Sequence, residues 1–200
     1  MLSDAETHPA PASAPVLALA GLQVAVLVAE GVHAVELHEP RSHLVAQGAV
    51  VALVSPQSGG VRTWQHNEWG EQVEVDEPLE RSRADRFGAL YLPGGIMCAD
   101  HLRGDGHALD FVRCFFQADK PVAAIGHAVA VLINADVLTG RTVTSWPAIH
   151  ADVQNAGALW VQQAVVRGPG LVTSRMPADL DRFIPEMIDL FDMRQQCGAP

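Results

Sequence analysis

Apolar residues first gather at Leu22-Gln23-Val24-Ala25-Val26-Leu27-Val28-Ala29, a Val-rich run without strict polar alternation. That pattern predicts a strand buried on both faces. A helical pattern follows over 35–47, and Gly48 is placed to close it at C′. Ala49-Val50-Val51-Ala52-Leu53-Val54 reads as a second buried strand, and this βαβ opening predicts a parallel sheet with helices on both faces. Between 59 and 76 the pattern changes to short strands, through Val61, Thr63 and Trp64 and again over 72–75, around a polar turn at 65–70. Parallel order resumes at Phe87-Gly88-Ala89-Leu90-Tyr91-Leu92. A helix near 106–118 leads to the strand Pro121-Val122-Ala123-Ala124-Ile125, and a helix with Val129, Leu132 and Ile133 on its apolar face follows. A helix near 148–156, strands near 158–162 and 171–174, and an amphipathic helix over 178–193 complete the reading. Residues 1–20, rich in Ala and Pro, read as a flexible tail or at most an arm lying on the domain, 21–195 as one domain, and 196–200 as a short tail.

Composition narrows the function. The chain of 200 residues is 48% hydrophobic, enough for one full core, and carries a formal charge of −10. Phosphate recognition needs clustered Lys and Arg, so neither nucleic acid nor an anionic membrane is expected as partner. No apolar run approaches the ~18 residues of a membrane span, and the opening is acidic where a signal peptide would be basic, so a cytoplasmic location is expected. Cys98, Cys114 and Cys197 stand at unrelated spacings and suit a reducing compartment. Among nine histidines, only His33 with His38 and His66 with Glu68 lie close, neither at the spacing of a helical zinc pair, so no metal is expected and no motif calls for a cofactor.

In open parallel sheets, ligands bind beyond the carboxyl ends of the strands. Three such ends carry unusual residues: Ala29-Glu30-Gly31 leading to Glu36, Pro93-Gly94-Gly95, and Ala124-Ile125-Gly126-His127-Ala128. The last, a strand turning sharply into a helix, has the pattern of a nucleophile elbow.

These blocks, together with Val137-Leu138-Thr139-Gly140-Arg141, Thr144-Ser145-Trp146-Pro147-Ala148-Ile149, Asn155-Ala156-Gly157-Ala158-Leu159-Trp160-Val161, Leu171-Val172-Thr173-Ser174-Arg175 and Pro177-Ala178-Asp179-Leu180, resemble successive blocks of the PfpI family in family order. The resemblance spans roughly 22–192. It implies the ThiJ/PfpI superfamily: a flavodoxin-like α/β three-layer sandwich, related to class I glutamine amidotransferases, assembled as a homodimer or larger even oligomer. The family elbow reads Ala-Ile-Cys-His-Gly-Pro, whereas this chain reads Ala124-Ile125-Gly126-His127-Ala128-Val129. Glycine has no side-chain atom to attack a substrate, so covalent catalysis at 126 is excluded.

The resemblance assigns Glu36 to the carboxyl that meets the elbow Cys, His127 to the adjacent His, and Gly94 and Gly95 to an oxyanion-binding turn. Glu36 in a partly buried pocket is expected to hold its proton through desolvation. The family's acidic triad residue, contributed across a subunit interface, falls on Asp100 counting back from Leu102-Arg103, or on Ala99 counting forward from Gly95. Cys98 is either a thiol activated at a helix N-terminus or an incidental loop cysteine. Cys114, with Phe111 and Phe115, reads as core. Trp64 and Trp69 read as packing or as subunit contacts, with a ligand cage as the alternative, and Trp146 as lying near a surface loop. The function expected is that of a stress-associated homologue without cysteine catalysis, keeping its pocket for binding or scaffolding. The alternative is a hydrolase of the intracellular peptidase or glyoxalase/deglycase kind, in which Glu36 and His127 activate water.

Overall fold

The computed structural model describes residues 17–198, with side chains described through Met193. Its centre is strand β1 (Gln23–Leu27), four of whose five residues are fully buried. It pairs in parallel with β3 (Val50–Ser55) on one side and β7 (Ala89–Leu92) on the other, so that Val26 stands opposite both Leu53 and Tyr91. Beyond β7 come β8 (Val122–Ile125) and β12 (Leu171–Ser174), also parallel, and then the antiparallel edge strand β11 (Val165–Gly168). A two-residue strand, β6 (Glu77–Pro78), closes the other edge, giving seven strands in the order β11-β12-β8-β7-β1-β3-β6. Helices α1 (Ala34–Ala46) and α6 (Leu180–Gly198) pack together over one face. On the other lie α2 (Ile96–Arg103), α3 (Gly106–Gln117) and α4 (Val129–Asn134), with α5 (His150–Asn155) against α4. This is a mostly parallel flavodoxin-like α/β sandwich.

Two small sheets lie outside the main one. The hairpin of β4 (Gly60–Gln65) and β5 (Glu68–Glu74) pairs in parallel with β2 (Val32–His33), while β9 (Thr142–Val143) pairs with β10 (Leu159–Trp160). The hairpin turn is tighter than the sequence pattern indicates. Only His66 and Asn67 form it, both at positive φ (52° and 63°), the geometry that matches the twist of a two-residue hairpin.

Four readings of the sequence need correction. Ordered structure begins before Leu22: Leu19 is fully buried and its N–H bonds Gln47 O at 2.9 Å, so the end of the expected tail is part of the core, while residues 1–16 lie outside the described residues. At the other end the α6 backbone continues through Gly198, into the expected 196–200 tail. Strand β3 is buried only at its far end. Val50 is 51% exposed because β6 reaches no further than Val54 and Ser55; between them, Asp76 caps the open edge, its carboxylate accepting the Leu53 N–H at 2.7 Å. Cys114 is exposed, not core: the buried stripe of α3 runs through Ala108, Phe111, Val112 and Phe115, and Cys114 falls about 100° off it. No helix among the described residues is long and apolar enough to cross a membrane.

Helix α1 contains Pro40, which has no N–H to give the carbonyl four residues back. That carbonyl belongs to Glu36, and the hydroxyl of the fully buried Tyr91 donates to it from the sheet. A proline fault in the helix is thus repaired by β7, and the repair fixes the first turn of α1 over the strand ends. Tyr91→Phe keeps the ring against Phe183 (6.1 Å between centroids) but strands a buried carbonyl. Urea denaturation is expected to show a loss of about 1–3 kcal/mol; unchanged stability would show that the carbonyl finds another donor.

Candidate functional site

The chain leaves β1 outward through β3 to β6 and then returns to β7 on the other side of β1. That reversal opens a crevice at the carboxyl ends of β1 and β7, the place where open α/β sheets bind ligands. Backbone crowding there dictates the sequence. The His33 N–H bonds Gly94 O at 3.0 Å, and a Cβ on Gly95 (φ 109°) would stand 2.6 Å from Gly31 O and 2.7 Å from His33 N. A Cβ on Gly94 would overlap the carboxylate of Glu36 and stand 2.9 Å from Ile125 O. Three strand ends meet here only because Gly94 and Gly95 have no side chains.

Glu36, in the first turn of α1, is 4% exposed. Burial pushes its carboxyl up to about 8, against a smaller lowering by the Gly94 N–H that it accepts. Burial likewise raises Tyr91, with the charge of Glu36 adding to it, and pushes the Cys98 thiol up to about 12. At neutral pH the floor of the site holds its protons and is uncharged.

Gly126 begins the 3-10 turn Gly126–Ala128 after β8, at φ 63°. A Cβ there would lie 3.4 Å and 3.6 Å from the two Glu36 carboxyl oxygens and 3.5 Å from Arg175 O, all ordinary contacts. The turn is held from outside by the Trp146 N–H on Gly126 O at 3.2 Å. His127 is half-buried, its ring stacked on Trp146 (5.4 Å between centroids, 25° between planes). Burial lowers its pKa, with the charge of Asp100 opposing, and burial lowers His33 as well.

Over this floor lies a cleft of about 470 Å³, lined by Glu36, Gly126 and His127 below and by Trp64, His66 and Trp146 around its mouth. Two further surface grooves, between α1 and α6 and beside Arg141, lie away from the strand ends. The structure thus brings together Glu36, Gly94, Gly95, Gly126 and His127. Asp100 is exposed and pairs with Arg103 at 2.8 Å, and its charge also acts on His127; Ala99, the other count, is buried. Cys98 is not activated. It sits inside α2 with no exposure, its sulfur accepting the Ala29 N–H at 3.3 Å, and burial outweighs any help from the helix start. Among the described residues, no group of three or more His, Cys, Asp or Glu could hold a metal ion.

The walls are less legible in the sequence than the floor. Trp64 packs edge-on against Trp69 (5.1 Å, 81°), as a packing residue should, and it also lines the cleft, as the cage alternative has it. What carries it there is the pairing of Val32 with Thr63 and His33 with Trp64, a two-residue contact without a periodic signal.

Comparison with known proteins accords with this geometry. Residues 22–190 match the model of the DJ-1/PfpI family. The chain is 38% identical over 169 residues to a deglycase of Pyrococcus abyssi, covering 84% of this chain and 99% of that protein. It is 35% identical over 168 residues to YraA of Bacillus subtilis, whose name marks it as a candidate cysteine protease, covering 84% and 97%. Among solved structures, a two-domain protein of Anabaena variabilis with DJ-1/ThiJ/PfpI-like and ferritin-like domains superposes with a TM-score of 0.79 at 30% identity, over 84% of this chain and 47% of that one. On sequence, fold and the arrangement of its strand ends, the chain belongs to the DJ-1/PfpI family.

Proposed function

We propose that Gly126 occupies the nucleophile position of the family, and that this chain is a binding homologue without cysteine catalysis. The observation that carries the reading is the turn at Gly126: its absent side chain would point at the carboxyl of Glu36, where a thiol would have to stand. The nearby thiol of Cys98 is no substitute, being buried and protonated. The hydrolytic alternative asks Glu36 and His127 to activate water. A carboxyl that holds its proton to about pH 8 is an acid and not a base at neutral pH, and the His127 ring stacks on Trp146.

The protonation of Glu36 has a consequence for stability. Its folded value near 8 lies above the unfolded value of about 4.3, so over that interval the fold holds a proton that the unfolded chain has released. Stability should therefore fall as pH rises from about 4.5 to about 8, with no contribution to the slope on either side. Glu36→Gln keeps an acceptor for the Gly94 N–H and removes the titration. In urea melts it should gain on the parent between pH 5 and pH 8, on the order of a few kcal/mol. Equal slopes would mean that Glu36 is ionised in the fold.

Purified protein is expected to turn over neither methylglyoxal nor fluorogenic peptides. Turnover that survives alkylation of every thiol and is lost in Glu36→Ala or His127→Ala would replace this reading with water activation.

Gly126→Cys is expected to create a reactive thiol, since a Cβ there meets only ordinary contacts and a protonated Glu36 would donate a hydrogen bond to the thiolate. Positive φ costs a non-glycine residue about 1–3 kcal/mol, so the variant should melt below the parent. Iodoacetamide labelling against pH, with the exposed Cys114 as internal reference, should give an apparent pKa well below about 8.5 at residue 126. A residue 126 no more reactive than Cys114 at neutral pH would show that the pocket no longer supports a thiolate.

A further inference from the structure

The cleft over Gly126 combines three features that together select a ligand. Its walls are aromatic and held in place: the Trp64 ring is fixed edge-on by Trp69, the Trp146 ring by stacking on His127. Rigid walls lose little entropy when a ring packs against them. Its floor carries the carboxyl of Glu36, which faces the space a Cβ at 126 would enter, with the rings of His33 and His127 lining the same cleft. One carboxyl oxygen accepts the Gly94 N–H, which leaves the O–H to the other. Finally, no lining side chain here is a Lys or Arg, so nothing in the cleft is built to neutralise an anion.

We propose that the cleft binds an uncharged planar aromatic molecule bearing a carbonyl or ring-nitrogen acceptor, the ring against the indoles of Trp64 and Trp146 and the acceptor taking the O–H of Glu36 above Gly126. The proposal rests on the binding reading above and names its ligand class. The volume of about 470 Å³ accommodates one or two fused rings with room for water at the mouth. The charge state of the floor makes the interaction sensitive to pH in one direction. Glu36 is faced by Tyr91 from β7, Cys98 from α2, His127 after β8, and His33 before α1, with His66 at the cleft mouth. Between pH 7 and 9.5 burial keeps Tyr91 and Cys98 protonated and His33 and His127 neutral, whereas Glu36 loses its proton near 8. Ionised Glu36 has no proton to donate and repels an acceptor, so affinity should drop as pH rises through that value.

Benzamide serves as the probe and cyclohexanecarboxamide as its non-planar counterpart, titrated into the full chain with tryptophan fluorescence and calorimetry as readouts. Benzamide should bind at least about fivefold more tightly than cyclohexanecarboxamide at pH 7, and at least about fivefold more weakly at pH 9.5 than at pH 7. Glu36→Gln, whose amide N–H replaces the acid O–H as donor, should bind benzamide with little change across that range. Trp146→Leu should weaken it about fivefold or more while the Glu36-dependent pH profile persists. Equal affinity for the two amides, or a flat pH profile in the parent protein, would overturn the proposal, and neither result depends on a variant that might misfold. Turnover of methylglyoxal or peptides bears only on the binding reading itself, so the two can fail separately.

Discussion

The contact between the Glu36 carboxyl and the backbone of Gly94 governs the rest of the site. A carboxyl side chain enters an almost solvent-free space between the ends of β7 and β8, and tolerates it because one oxygen accepts an N–H and the other keeps its proton. Space for that carboxyl requires Gly94, and the approach of the β1 exit to the same point requires Gly95. The helix that carries Glu36 contains a proline, and the carbonyl which that proline leaves without a donor is met by Tyr91, the residue of β7 that stands opposite Ala123 of β8. Glycine pair, buried acid, proline and tyrosine thus form one mechanical unit, and altering any of them displaces the acid.

This unit does not depend on a side chain at position 126. The turn there is defined by the Trp146 N–H on the Gly126 carbonyl and by positive φ, both properties of the backbone. Glycine avoids the strain that any other residue would bring at this positive φ. The thiol of Cys98 is not reactive in its own position, because what makes it a good core atom, complete burial with an N–H on sulfur, is what keeps it protonated. Chemistry and fold are separable at this turn.

Much of the floor was readable in sequence, because it is built from local signals. The apolar runs of β1, β7 and β8, the Gly-Gly pair and the strand-to-helix turn each announce themselves within a few residues, and the topology rule then places them side by side. The parts that escaped depend on distant partners. Strands β11 and β9 are four and two residues long and exist only because a neighbour is present to pair with. Leu19, in an Ala- and Pro-rich stretch, is core because Gln47 and Gly48 receive it, and Val50 is exposed because β6 stops short. Cys114 is a simpler case: it is close in sequence to Phe111 and Phe115 but lies off their helix face.

Floor and walls also differ in how strongly the fold constrains them. The floor is fixed by backbone packing among three central strands, where each missing Cβ is matched to an opposing atom. The walls come from a hairpin held by a two-residue parallel pairing and from the loop carrying Trp146, which is 36% exposed. A change at Trp64, His66 or Trp146 alters the shape and polarity of the cleft without touching Glu36 or its glycines. In such an arrangement the acid at the floor and the shape of the cleft over it are set by separate parts of the chain, and a glycine at 126 disturbs neither, because even a Cβ there would meet only ordinary contacts.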